Sequence, residues 1–211
     1  MFEPKDKNAF VSIICGRRNS GKTTLLLKML LHHKLLKGKF DAVFLINPTY
    51  LLDDKYSIIK FTEVYTDFTI ETVENLRNFC LEETLMNPKK NFLLILDDCI
   101  SHEDFKSNQS NNILNELACN SRHINLSIIV LTQVFKGVSL TMRRQADYII
   151  FFNNKNHEEL SSLYEEFGVG SKKDFFNLLN NVVFKDRHDF ILIDNIDDKI
   201  YRNFEIETNL K

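Results

Sequence analysis

The chain has 211 residues, enough for one full-sized domain and too few for two comfortable ones. Its 44% hydrophobic and 27% charged residues match globular proteins and argue against disorder, collagen-like repeats or a coiled fibre. A formal net charge of -2 argues against coating nucleic acid by bulk electrostatics, so any DNA contact must be local.

Six glycines and three prolines leave little material for long linkers. Cys15, Cys80, Cys99 and Cys119 lie far apart with no C-x-x-C pair, which predicts reduced core thiols, not a disulfide frame or zinc site. No stretch reaches the roughly eighteen continuous apolar residues of a membrane span, and the N-terminus lacks the apolar centre of a signal peptide. The expectation is a soluble intracellular protein.

In chain order, residues 9–16 read as a buried strand feeding a helix over 19–36, where Leu25, Leu26, Met29, Leu30 and Leu36 recur at helical spacing. Residues 40–48 form a second strand, ended by Pro48. A short strand is expected within 57–62 and a helix over 69–86. Residues 91–99 make the most apolar strand, ending in two aspartates. A helix over 108–120, a strand over 126–133 and a strand over 146–153 follow. Helices over 157–167 and 171–182 lead to a last strand over 190–194. Strands apolar on both faces and separated by helices predict an α/β fold of three layers around a mainly parallel sheet.

Residues 16–23, Gly-Arg-Arg-Asn-Ser-Gly-Lys-Thr, fit G-x-x-x-x-G-K-[ST] without mismatch. The glycines permit a tight turn whose N–H groups point inward at phosphate oxygens, and the following helix aims its positive end at the same anion. The phosphate-binding set is Gly16, Arg17, Arg18, Asn19, Ser20, Gly21, Lys22, Thr23 and Thr24. Lys22 would reach the terminal phosphates, and Thr23 would hold Mg²⁺.

Asp97 and Asp98 end an apolar strand, where one acid can serve the metal and its neighbour can activate the attacking water. Asp97 is assigned to the metal and Asp98 to the water; a solvated strand end is the plainer alternative. Gln133, at the tip of the strand expected beside the phosphate strand, is placed to touch the terminal phosphate or the water. Arg122 suits a phosphoryl-transfer site because its fork binds phosphate oxygens and stays charged. It is either donated to a neighbouring subunit's nucleotide or a solvated loop arginine. Arg143 and Arg144 fit three roles equally: DNA contact, trans arginine or surface charge.

The order of these features resembles the genome-packaging ATPases of large DNA viruses and virophages, a branch of the FtsK–HerA superfamily. The resemblance covers residues 10–194 and rests most on Arg-His-Ile-Asn-Leu-Ser at 122–127 followed by strand and Thr132-Gln133. It implies one RecA-like P-loop ATPase domain over 1–211, with ATP and Mg²⁺, that drives double-stranded DNA into a capsid. It also implies a homo-oligomeric ring of about five or six subunits and, as further partners, capsid-vertex or DNA-terminus proteins. Location would be the infected host's cytoplasm or the virion. The family's functional positions fall on Lys22, Thr23, Asp97, Asp98, Gln133 and, across the subunit interface, Arg122. Asp98 departs from the Glu usual in cellular relatives. Pore contacts are expected among Lys136, Arg143 and Arg144, or Lys34, Lys37 and Lys39. The alternatives are a small-molecule phosphotransferase or a nucleotide-gated assembly protein without useful turnover. A GTPase is disfavoured because His157 stands where a guanine-reading Asp would be needed.

Overall fold

The computed structural model describes residues 9–52, 54–99, 112–168 and 170–206. Nine strands share one sheet in the order β3-β2-β4-β5-β1-β6-β7-β8-β9. Their ranges are β1 Val11–Cys15, β2 Ala42–Ile46, β3 Glu63–Tyr65, β4 Phe92–Asp97, β5 Leu126–Thr132, β6 Tyr148–Phe152, β7 Phe190–Asp194, β8 Lys199–Arg202 and β9 Glu205–Ile206. The helices are α1 Lys22–Leu31, α2 Ile70–Met86, α3 Ile113–Asn120, α4 Leu140–Arg144, α5 His157–Phe167 and α6 Lys172–Leu178.

From β3 to β6 every pairing is parallel. β1, β5 and β6 are buried along their whole length. Such strands need covering on both faces, because each pleat carries an apolar side chain. Alternate residues do divide between two cores: Ile13 and Leu94 face α2, α3, α5 and α6, whereas Ile14 and Leu93 face α1. The sheet is therefore the middle of three layers.

Local chemistry sets the element ends. Thr69 caps α2 by accepting from the amide of Thr72 at 3.0 Å, and Asn112 caps α3 by accepting from Leu114 and Asn115. Asn156 and Ser171 cap α5 and α6 in the same way.

Three expectations need correction. The first helix stops at Leu31, not at residue 36; His32 is extended, and the chain turns back so that the Leu36 amide reaches the Met29 carbonyl. Leu35 and Leu36 are still buried, so their apolar spacing reported a core contact made by a turn. The short strand expected within 57–62 lies at Glu63–Tyr65, because 3₁₀ turns at Tyr50–Leu52 and Asp54–Ile58 take up the preceding chain. The helix expected over 171–182 is α6 followed by a wider π turn at Leu179–Val183.

β8 and β9 had no sequence counterpart. They extend β7 as antiparallel strands, and the two-residue turn between them, Asn203 and Phe204, has φ of 48° and 68°. That geometry usually carries Asn-Gly, so an Asn-Phe turn gave no hairpin signal. All four cysteines are free; Cys15, Cys80 and Cys99 are buried and Cys119 is exposed. Residues 108–111 of the expected helix over 108–120 lie outside the described residues.

Candidate nucleotide site

β1 delivers the chain into the loop 16–21, and α1 starts at Lys22. A Cβ on Gly16 would stand 2.6 Å from Ser20 Oγ and 2.7 Å from Phe152 Cβ, so only glycine lets the loop close against β6. Gly21 has φ of 107°, the left-handed turn that aims the loop into the helix. The Lys22 ammonium donates to the carbonyls of Gly16 at 2.6 Å and Arg17 at 3.2 Å, which folds it over its own loop. Burial pushes its pKa below the usual lysine range, while Asp97, Cys15 and Asp98 pull it up.

Crossover connections put β5 between β1 and β4. The C-terminal tips of all three parallel strands thus reach one edge of the sheet, where ligands bind in open α/β folds. There a cleft of about 570 Å³ is lined by Arg18, Asn19, Lys22, Thr23, Asp97, Asp98 and Gln133, together with Asn47, Thr49, Leu52 and Lys55. The structure thereby brings together the phosphate loop, the acid pair and the strand-end glutamine. Asp98 leaves the strand with φ of 58°, a left-handed conformation that Asp tolerates better than most residues.

Asp97 sits half-buried, and its Oδ2 accepts from the Tyr56 hydroxyl at 2.7 Å. Burial raises its pKa above the usual carboxylate range; the Tyr56 hydrogen bond and Lys22 oppose this, and Asp98 adds to it. Asn47, buried at the tip of β2, accepts from both the amide and the hydroxyl of Thr49 at 2.7 and 2.9 Å. Tyr56, Asn47 and Thr49 escaped the sequence reading. Asn47-Pro48-Thr49 at a strand end was a usable signal; Tyr56 gave none.

Other predicted residues lie apart. Thr24 lines a smaller cleft with Thr23 and His188, and the His188 ring donates to the Ser20 carbonyl at 2.8 Å. Arg122 precedes β5 whereas Gln133 follows it, so the strand's seven residues, roughly 20 Å, separate Arg122 from the cleft. Its guanidinium pairs with the buried Asp147, whose other oxygen accepts from the Val11 amide at 2.9 Å.

Arg143 is a correction. It is neither surface charge nor a free contact: it is buried, binds Glu166 through Nε and Nη2, donates to the Val138 carbonyl, and lies 5.3 Å from the Phe135 ring centre. It therefore locks α4 to α5 and leaves the pore candidates. Arg144 is exposed, and Lys136 makes a surface pair with Glu165. Lys34, Lys37 and Lys39 lie beyond the far end of α1 from the phosphate loop.

The model of the Poxvirus A32 protein family matches residues 3–208. The chain belongs to that family. Its A32 relatives include the DNA packaging protein OPG160 of Monkeypox virus, 30% identical over 185 residues and 83% of this chain. The chain spans 58% of that relative's length and 65% of its Variola virus counterpart's. The A32 chain also shares its fold with a solved structure, B204, the DNA-packaging ATPase from Sulfolobus Turreted Icosahedral Virus. That match has a TM-score of 0.72 at 19% identity, covering 95% of this chain and 100% of that one. B204 of Sulfolobus turreted icosahedral virus 2 in complex with AMPPCP matches with a TM-score of 0.68 at 19% identity, covering 94% and 98%. The family and the P-loop fold agree with the resemblance drawn from the motifs.

Proposed function

We propose that this chain is an ATP-hydrolysing motor that moves double-stranded DNA into a viral capsid. The observation that carries it is the convergence of Lys22, Asp97, Asp98 and Gln133 on one cleft at the sheet's C-terminal edge. A DNA packaging protein among the A32 relatives and a DNA-packaging ATPase of the same fold support it.

The residues fit a nucleotide with Mg²⁺. Gly16 lets the loop close against Ser20 and Phe152 and Gly21 holds its left-handed turn, and Thr23 and Asp97 would supply the one or two oxygen ligands that magnesium takes beside phosphates. When bound, the ion neutralises charge on the terminal phosphates. Lys22 exchanges the carbonyls of Gly16 and Arg17 for phosphate oxygens. Asp98, exposed at the cleft, accepts a proton from the attacking water, and Gln133 orients that water.

Arg122 stands at the opposite edge of the sheet, and in this reading it serves another copy's nucleotide within a ring of five or six chains. The exposed Lys136 and Arg144 then remain as DNA contacts. Capsid-vertex or DNA-terminus proteins would be further partners, in infected-cell cytoplasm or the virion. Among the described residues, no helix is long and apolar enough to cross a membrane.

The test is ATP hydrolysis with and without duplex DNA, for Arg122→Ala, for Asp98→Asn and for the two mixed. DNA stimulation, with activity recovered only in the mixture, is the expected result. Full activity of Arg122→Ala alone would end the trans role. Hydrolysis indifferent to DNA, together with unaltered capsid filling by Lys22→Ala, would end the motor.

A further inference from the structure

The phosphate loop is held from a part of the chain that carries none of its motifs. His188, 168 residues beyond Ser20, places its ring Nδ1 2.8 Å from the Ser20 carbonyl oxygen. A carbonyl only accepts, so Nδ1 carries the proton and donates it. A Cβ on Gly21 would stand 3.4 Å from the same nitrogen, so the ring lies against the Ser20–Gly21 peptide. That peptide is planar and trans, and its carbonyl and N–H therefore point in opposite directions. With the Ser20 carbonyl turned out to His188, the Gly21 N–H is turned to the inner side of the loop. It donates to no protein acceptor among the described residues.

The other bonds that shape the loop differ in kind. The Gly16 amide donates to the Thr132 carbonyl and the Ser20 amide to the Arg17 carbonyl, both at 3.1 Å. Lys22 holds the carbonyls of Gly16 and Arg17, but in the function proposed above it surrenders them to phosphate. The His188 bond lies on the outer side and is kept.

His188 sits on a built segment whose Lys185, Asp186 and Arg187 form the far wall of a second cleft, of about 730 Å³, beside the loop. Buried Asp189 accepts from the amides of Lys185 and Asp186, both at 2.8 Å, and from Asn203 Nδ2 at 2.6 Å. From the other side, the Asn153 amide donates to the Asp189 carbonyl at 2.8 Å, and Asn153 Nδ2 donates to the Asp186 carbonyl at 2.9 Å. Asn153 follows β6, and Asn203 lies in the turn between β8 and β9. The β7–β8–β9 extension contributes no residue to the acid cleft, yet it fixes the backbone that brings His188 to the loop.

We propose that His188 is a positioning residue of the phosphate loop: by holding the Ser20 carbonyl outward, its Nδ1–H keeps the Gly21 amide aimed at a bound phosphate oxygen. It touches no reacting atom itself. The inference rests on the nucleotide-binding part of the proposed function, which it deepens, and on nothing about DNA. Because one particular ring nitrogen does the holding, substitutions can separate donor position from bulk. The amide nitrogen of asparagine stands as far along its side chain as Nδ1 does. That of glutamine stands one bond further, at the reach of Nε2, and phenylalanine fills the ring's space without a donor.

Calorimetric titration with AMPPNP of the full chain and of His188→Asn, His188→Gln and His188→Phe tests this, with nucleotide-free melting temperatures measured beside it. The position is exposed, so all three variants should fold. His188→Asn should keep AMPPNP affinity within about twofold. His188→Gln and His188→Phe should each weaken it about tenfold, the scale of one hydrogen bond to a charged group, without melting earlier. Undiminished affinity in all three would overturn the proposal, and so would a loss in His188→Asn equal to the others. A loss that follows the melting temperature from variant to variant would assign His188 to folding alone and overturn it too. An unaltered chain that does not bind AMPPNP would overturn nucleotide binding itself, and the role of His188 with it.

Discussion

The Tyr56 hydroxyl donates to Asp97 at 2.7 Å across 41 residues of sequence. Tyr56 is fully buried among aromatic rings, 5.8 Å from Phe61 between centroids, and its turn carries Lys55 at the mouth of the cleft. The bond fixes one oxygen of Asp97 at the edge of the cleft.

Tyr56→Phe keeps the ring and removes that bond. Hydrogen bonds to charged groups are strong enough that hydrolysis should fall roughly tenfold. Half-maximal activity should also need more Mg²⁺. A magnesium titration of ATPase rate checks this, and a curve superimposable on the unaltered protein's would show that Asp97 needs no such partner.

Asp97→Asn should raise the melting temperature of the nucleotide-free protein by a few degrees. The carboxylate is half-buried beside Asp98, and its raised pKa means that its charge is disfavoured in the fold. Neutral Asn removes that penalty and still accepts from Tyr56. Calorimetric melting decides it; a lower melting temperature would mean the charge is satisfied in place.

Arg122 and Asp147 should separate function from stability. Arg122 is 61% exposed on its side chain, so Arg122→Ala should cost less than about 1 kcal/mol in urea denaturation. Asp147→Ala strips the Val11 amide of a buried acceptor and should cost about 2–3 kcal/mol. Equal costs would contradict the division.

Arg143→Ala leaves Glu166 without its partner and should destabilise the fold by about 3 kcal/mol, whereas Lys136→Ala should be near neutral. Denaturation midpoints distinguish them. A folded, stable Arg143→Ala that loses only DNA binding would restore Arg143 to the pore.

Asp189 gives the wall of the second cleft a pH dependence. Burial alone would raise its pKa, but hydrogen bonds from Asn203, Asp186, Lys185 and Arg202 overcome this and hold it below the usual range. A lowered folded pKa contributes stability that is complete above the unfolded value, about 4, and fades as pH falls through the folded value. Asp189→Asn should lose that acid-limb dependence in stability measured from about pH 5 to pH 2. An unchanged acid limb would place the dependence elsewhere.

By itself the sequence determined the phosphate loop, the strands behind it and the acid pair, because each is a local pattern. Glycine spacing sets the turn, unbroken apolar runs demand a sheet covered on both faces, and two carboxylates after such a run mark its C-terminal tip. Gln133 was legible for the same reason. Only the tertiary structure decided that Arg122 faces the opposite edge, that Arg143 is buried against Glu166, and that Tyr56 steadies Asp97. The segment of Asp186 and Arg187 beside the phosphate loop belongs with these. They depend on crossovers that bring distant chain to one place, and a side chain's partner across 41 residues leaves no periodicity to read.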